Sequence, residues 1–168
     1  MTTYINKTYV AFDADNDIHY YRLMQAWKKS DNTPFNFYDA HDLNNLMSCS
    51  TEETIKEKLA ERLRNTKVFI LLVGDNTKYL YKFVRWEIEQ AIKRDIPIIA
   101  VNLNGKKSMD SDLCPAILQD ELAVHVNFKQ KIIEHAIDNW SNSDSFYRKD
   151  NKTGAYFYKD TIYQQLGL

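Results

Sequence analysis

Hydrophobic and polar positions along the chain alternate between short apolar or period-2 runs and stretches with an apolar residue every three or four positions. "TYVAF" (8–12) predicts a first strand. In "DIHYYRLMQAWKK" the spacing of Tyr20, Leu23, Met24 and Trp27 predicts a helix with one apolar face against the sheet. "FNFY" (35–38) predicts a second strand, and Ser50 with Glu53 forms a capping box ahead of a second helix carrying Ile55, Leu59 and Leu63. "KVFILLVG" (67–74) is apolar almost without a break, as a central strand covered on both faces requires. A third helix turns Val84, Ile88, Ala91 and Ile92 inward and runs through Pro97 into the strand "IIAVNL". "LAVHV" (122–126) predicts a fifth strand, and Ile133, Ala136, Ile137 and Trp140 mark a last helix.

Strands and helices in this alternation predict an α/β domain with a mainly parallel sheet. The expected form is a flavodoxin-like, three-layer domain over residues 1–144, with a central five-stranded parallel sheet in the order 2-1-3-4-5. Residues 145–168 are expected as a tail packed on the same domain. A Lys-Thr-Gly turn signal between aromatic clusters in that tail predicts a hairpin or folded-back segment. The segment "NGKKSMDSDLCPAILQDE" predicts no regular element.

Composition narrows the chemistry. The 168 residues, 44% of them hydrophobic, suffice for one domain with a sizeable core, and a net charge of -1 gives no electrostatic footprint for nucleic acid. No run reaches the roughly 18 apolar residues of a membrane span, and no leader pattern opens the chain, so a cytoplasmic protein is expected. Cys49 and Cys114 have no paired spacing, and His19, His41, His125 and His135 have no ligand spacing. "DADND" opens like a calcium loop, but glycine is missing at the sixth position and Met24 stands at the twelfth, so no metal is expected. Asp17 then reads as the cap of the first helix. With no glycine-rich phosphate loop, ATPase and dinucleotide-dependent dehydrogenase chemistry are disfavoured.

Two glutamates in the third helix, Glu87 and Glu89, separate by geometry. At about 100° per residue they point roughly 200° apart and cannot serve one site. Glu89 has Arg85 four residues before it and Lys93 four after, which predicts a surface salt bridge. Glu87 has Phe83, Val84, Gln90 and Ala91 at the helical neighbour positions, so its own helix offers it no cation beside the apolar stripe. Such a carboxylate reaches water, pairs with a distant cation, or serves a ligand. In an open α/β sheet ligands bind where the strand order reverses, here between the loops after Phe12 and after Val73.

"TYVAFDADND", "FNFYDAHDLNN", "SCSTEETIKEKLAERLRNTKVFILLVGDNTKYLYKFVRWEIEQAI" and "IPIIAVNLN" together resemble the TIR-like domains of the Thoeris anti-phage system, the ThsB family, within the Toll/interleukin-1 receptor fold. The resemblance covers residues 7–104. It implies an enzyme that cleaves NAD, as substrate and with no cofactor, at the nicotinamide–ribose bond. "FVRWEI" places the catalytic glutamate of such enzymes at Glu87. Where many TIR domains end the first strand in Ser-Tyr this chain has Ala11-Phe12-Asp13, and Phe83 stands at a position commonly held by Trp. With the switch-point topology, the resemblance assigns Phe12, Asp13, Tyr38, Asp39, Asn76 and Phe83 to substrate binding. It further implies a cyclic ADP-ribose isomer as a diffusible signal for a partner effector, ThsA. Control by self-assembly or a phage component would act through the loop "DAHDLNNLMSC", with Leu46 and Met47 exposed. Two rival readings are a non-catalytic TIR-type assembly module and an enzyme like the nucleoside deoxyribosyltransferases.

Overall fold

The computed structural model describes residues 7–30, 38–39 and 51–168. The loop bearing Leu46 and Met47, and the proposed cap Ser50, lie outside these residues.

The elements follow the expected alternation: β1 (Lys7–Ala11), α1 (Ile18–Lys29), β2 (Tyr38–Asp39), α2 (Glu52–Arg64), β3 (Val68–Val73), α3 (Val84–Lys93), β4 (Ile98–Asn102), β5 (Ala123–Asn127), α4 (Gln130–Lys149), β6 (Ala155–Phe157) and α5 (Asp160–Gln165). The sheet runs β2-β1-β3-β4-β5-β6, and every neighbouring pair is parallel. The expected five-strand order is therefore present, with a correction at one edge. Of the two forms expected for the tail, the folded-back one is present and the hairpin is not: after a bend at Gly154 (φ 99°) the tail adds a sixth parallel strand, Ala123 pairing with Ala155. Helix α4 crosses the expected boundary at 144 without a break.

β3 explains the layering. All six of its side chains are buried, alternating between two cores. Val68, Ile70 and Leu72 join Tyr21 and Met24 of α1, Ile133 and Trp140 of α4 and Tyr163 of α5 on one face. Phe69, Leu71 and Val73 meet Leu59 and Leu63 of α2 and Val84, Ile88 and Ala91 of α3 on the other. Each fully buried leucine or isoleucine contributes about 1.5–3 kcal/mol of transfer free energy.

Three local expectations shift. In α1 the inward residues are Tyr21 and Met24, while Leu23 is 45% exposed. The stack of Tyr21 on Phe12, centroids 4.6 Å apart, turns the helix so that Tyr20 and Trp27 flank the buried stripe instead of defining it. Helix α2 is capped by Thr51, whose hydroxyl accepts the Thr54 N–H at 3.1 Å. Thr51→Ala is expected to cost about 1 kcal/mol, read as a lower urea midpoint at unchanged slope. Asp17 occupies the N-cap position of α1 without a side-chain cap bond. Its carboxylate lies instead against Gly74, where an added Cβ would collide with it.

Candidate active site

A cleft of about 460 Å³ opens beyond the carboxyl ends of β1 and β3, where the strand order reverses. Its walls are the loop after β1 (residues 12–15), Ile55 and Leu59 of α2, and the segment 79–84 that leads into α3, with Glu87 reaching it from the first turn of that helix. Thr77 shapes the third wall. Its hydroxyl accepts the Gly74 N–H at 2.9 Å and donates to the Leu72 carbonyl at 3.3 Å, folding the chain back so that Tyr79 through Phe83 face the cleft.

Of the residues singled out from sequence, Phe12, Asp13, Phe83 and Glu87 share this cleft. Asp13 is buried, and its carboxylate accepts the Asp15 N–H (3.0 Å), the Asn16 N–H (3.3 Å) and the Asn16 amide (2.7 Å), so it builds the loop that forms one wall. Asn76 lies apart: it is exposed, starts the short 3-10 turn Thr77–Tyr79, and is not among the cleft residues. The turn that presents the tyrosines carries Asn76 away. Tyr38 and Asp39 pair with Lys7 and Thr8 on β1, and the loop that follows them lies outside the described residues.

The two glutamates differ as their helical phase requires. Glu89 is half exposed and receives the Arg85 Nε at 3.1 Å. Glu87 sits deeper than the border of the stripe: it is 3% exposed and belongs to the buried face of α3. Its Oε2 makes no hydrogen bond among the described residues. Burial pushes its pKa up from 4.5 to about 8, against the opposing pull of the Tyr9 hydroxyl. Tyr9, fully buried in β1 and stacked on Phe69 at 5.6 Å, meets the carboxyl from the sheet side. The helix N-terminus favours a carboxylate here, but desolvation dominates. The result is a carboxyl at the inner end of a mainly apolar cleft, poised between its neutral and charged forms near neutral pH.

Sequence reasoning overlooked three aromatic groups here. Tyr79 and Tyr81, 58% and 65% exposed, stand on the cleft wall, and Tyr9 stands behind Glu87. Period-2 alternation in β1 would have flagged Tyr9, since a tyrosine directed into a core needs a partner for its hydroxyl.

A doubly wound, all-parallel α/β domain with a buried carboxyl at its switch point is the arrangement expected of a TIR-like domain. Residues 9–108, more than half of the chain, match the family described as Thoeris protein ThsB, TIR-like domain. The chain belongs to that family, and with it to Thoeris anti-phage defence. Among the described residues, no helix is long and apolar enough to cross a membrane.

Proposed function

We infer that this domain cleaves NAD at the nicotinamide–ribose bond and closes the remaining ADP-ribose into a cyclic isomer, a diffusible signal for a partner effector of the ThsA type. The observation that carries this reading is Glu87: a carboxyl buried at the inner end of a cleft with Phe12 and Phe83 in its walls. One carboxylate suffices because the leaving group is already cationic. As the bond from C1′ to the pyridinium nitrogen breaks, its electron pair returns to the ring and nicotinamide departs neutral, with no general acid. Positive charge grows on the ribose, and ionised Glu87 stabilises it in a site of low dielectric. The approach of the cationic pyridinium also favours loss of the Glu87 proton. A nucleophilic nitrogen or oxygen of the same molecule then bonds to C1′ and releases a proton as the ring closes.

Incubation with NAD, and separately with deoxynucleosides, followed by chromatography of the products tests this reading. Nicotinamide together with a cyclic isomer supports it. Base exchange from deoxynucleosides would mark a deoxyribosyltransferase, and inertness towards both would leave an assembly module. Phe83→Ala is expected to lower kcat/KM about tenfold by removing one ring from the wall. Glu89→Gln, which breaks only an exposed ion pair, should stay within about twofold of wild type.

A further inference from the structure

We propose that Tyr9 is a positioning residue for Glu87, holding the buried carboxyl from behind and donating its hydroxyl hydrogen to the charged form. The geometry is specific. Glu87 lines the cleft from the buried face of α3, and Tyr9 of β1 sits in the core that the sheet shares with α3, outside the cleft walls. The Tyr9 ring is fixed by its near-parallel stack on Phe69, at an interplanar angle of 11°. A fixed ring gives the hydroxyl little freedom to follow a moving carboxyl, so it dictates where the carboxyl rests.

The other charged and titratable groups around Glu87 do not fill this role. Asp13 and Asp15 on the β1 loop share its sign and line the same cleft. Lys82, at the mouth, is drawn to Glu52 at 3.6 Å and lies over the Phe83 ring. Tyr79 and Tyr81 stand exposed on the wall. Arg62 of α2 acts on Tyr9, pulling its pKa down against burial, yet Tyr9 still ends well above 10. Tyr9 therefore keeps its proton wherever Glu87 titrates, and remains a donor to the carboxylate throughout. A hydrogen bond donated to the charged form favours that form, so deleting it must move the Glu87 midpoint upward.

The consequence for turnover rests on the reading of Glu87 as the reacting carboxylate, so the test has two readouts. In protein labelled with 13C-glutamate, the Glu87 carboxyl, assigned by its loss in Glu87→Gln, is followed from pH 5 to 10 in wild type, Tyr9→Phe and Phe69→Leu. The expected result is a midpoint near 8 in wild type and one higher by about half to one unit in Tyr9→Phe. Phe69→Leu, which loosens the ring and leaves the hydroxyl, is expected to move it by only a fraction of that shift. In parallel, kcat/KM for NAD at pH 7 is expected to fall about three- to tenfold in Tyr9→Phe and to recover at high pH, because this ratio follows the ionised fraction of the free enzyme. An unchanged midpoint in Tyr9→Phe, or an equal shift in Phe69→Leu, overturns the proposal. A shifted midpoint in a protein that cleaves no NAD at any pH supports the Tyr9–Glu87 coupling and refutes the assigned reaction.

Discussion

Replacing Glu87 with glutamine is expected to abolish NAD turnover and, above neutral pH, to make the fold more stable than wild type. The carboxyl titrates near 4.5 in an unfolded chain and at about 8 in the fold. Between those values the folded state binds the proton that the unfolded state has released. Stability from this group is therefore complete below pH 4.5 and is lost as the pH rises through 8. The loss amounts to roughly 2–4 kcal/mol in wild type at pH 8. Glutamine has nothing to ionise, though its buried amide N–H, left without an acceptor, costs about 1–3 kcal/mol in return. The net effect is a small deficit at pH 5 that reverses to a gain of a few degrees at pH 8.5. Thermal melts of both proteins at these two pH values read it directly. Parallel melting curves at both values would show that Glu87 is not held in its neutral form.

His125→Leu should have the opposite pH signature. His125 is fully buried in β5, beside Ala100 of β4, and neither ring nitrogen makes a hydrogen bond among the described residues. Burial pulls its pKa from 6.5 down to about 4. The unfolded chain takes up the proton first, so the stability present above pH 6.5 is lost as the pH falls towards 4. Leucine, of similar size, removes the titration and an unsatisfied polar ring together. A gain on the order of 2 kcal/mol is expected at pH 4.5, shrinking at pH 7.5, measured as urea midpoints. An equal difference in urea midpoint between His125→Leu and wild type at pH 4.5 and at pH 7.5 would contradict it. Glu87 and His125 thus press on the fold from opposite ends of the pH scale.

The order of the sheet was legible because β3 announces itself: six apolar residues in a row have no other place than the middle of a covered sheet. The separation of Glu87 from Glu89 was legible for a similar reason, since helical phase is a local property. What stayed hidden depends on contacts between distant segments. Whether α1 turns inward on the stripe that includes Leu23 or the one that includes Tyr21 is decided by the ring of Phe12, which local periodicity does not contain. Local chemistry favours Ser50, which has the capping-box glutamate Glu53 three residues on, yet the adjacent Thr51 caps α2, a choice the local pattern does not contain. The depth of Glu87 and its link to Tyr9 follow from the seating of α3 against β1, a tertiary fact. Asn76 was placed by its nearness in sequence to the switch point, and a tight turn took it elsewhere.

The three residues of β6 matter beyond their number. Two of them, Ala155 and Phe157, are exposed, so the strand adds little to the core, but it occupies the hydrogen-bonding rim of β5. β5 is fully buried and rich in β-branched residues, the kind of strand that would seed intermolecular pairing if left bare. A chain cut back to residue 144 would lose this guard and the last turn of α4 as well, and would be prone to aggregate while keeping every cleft residue. Insolubility of such a truncated protein would then report on an unguarded strand and on a core that has lost Tyr163, and would carry no information about catalysis.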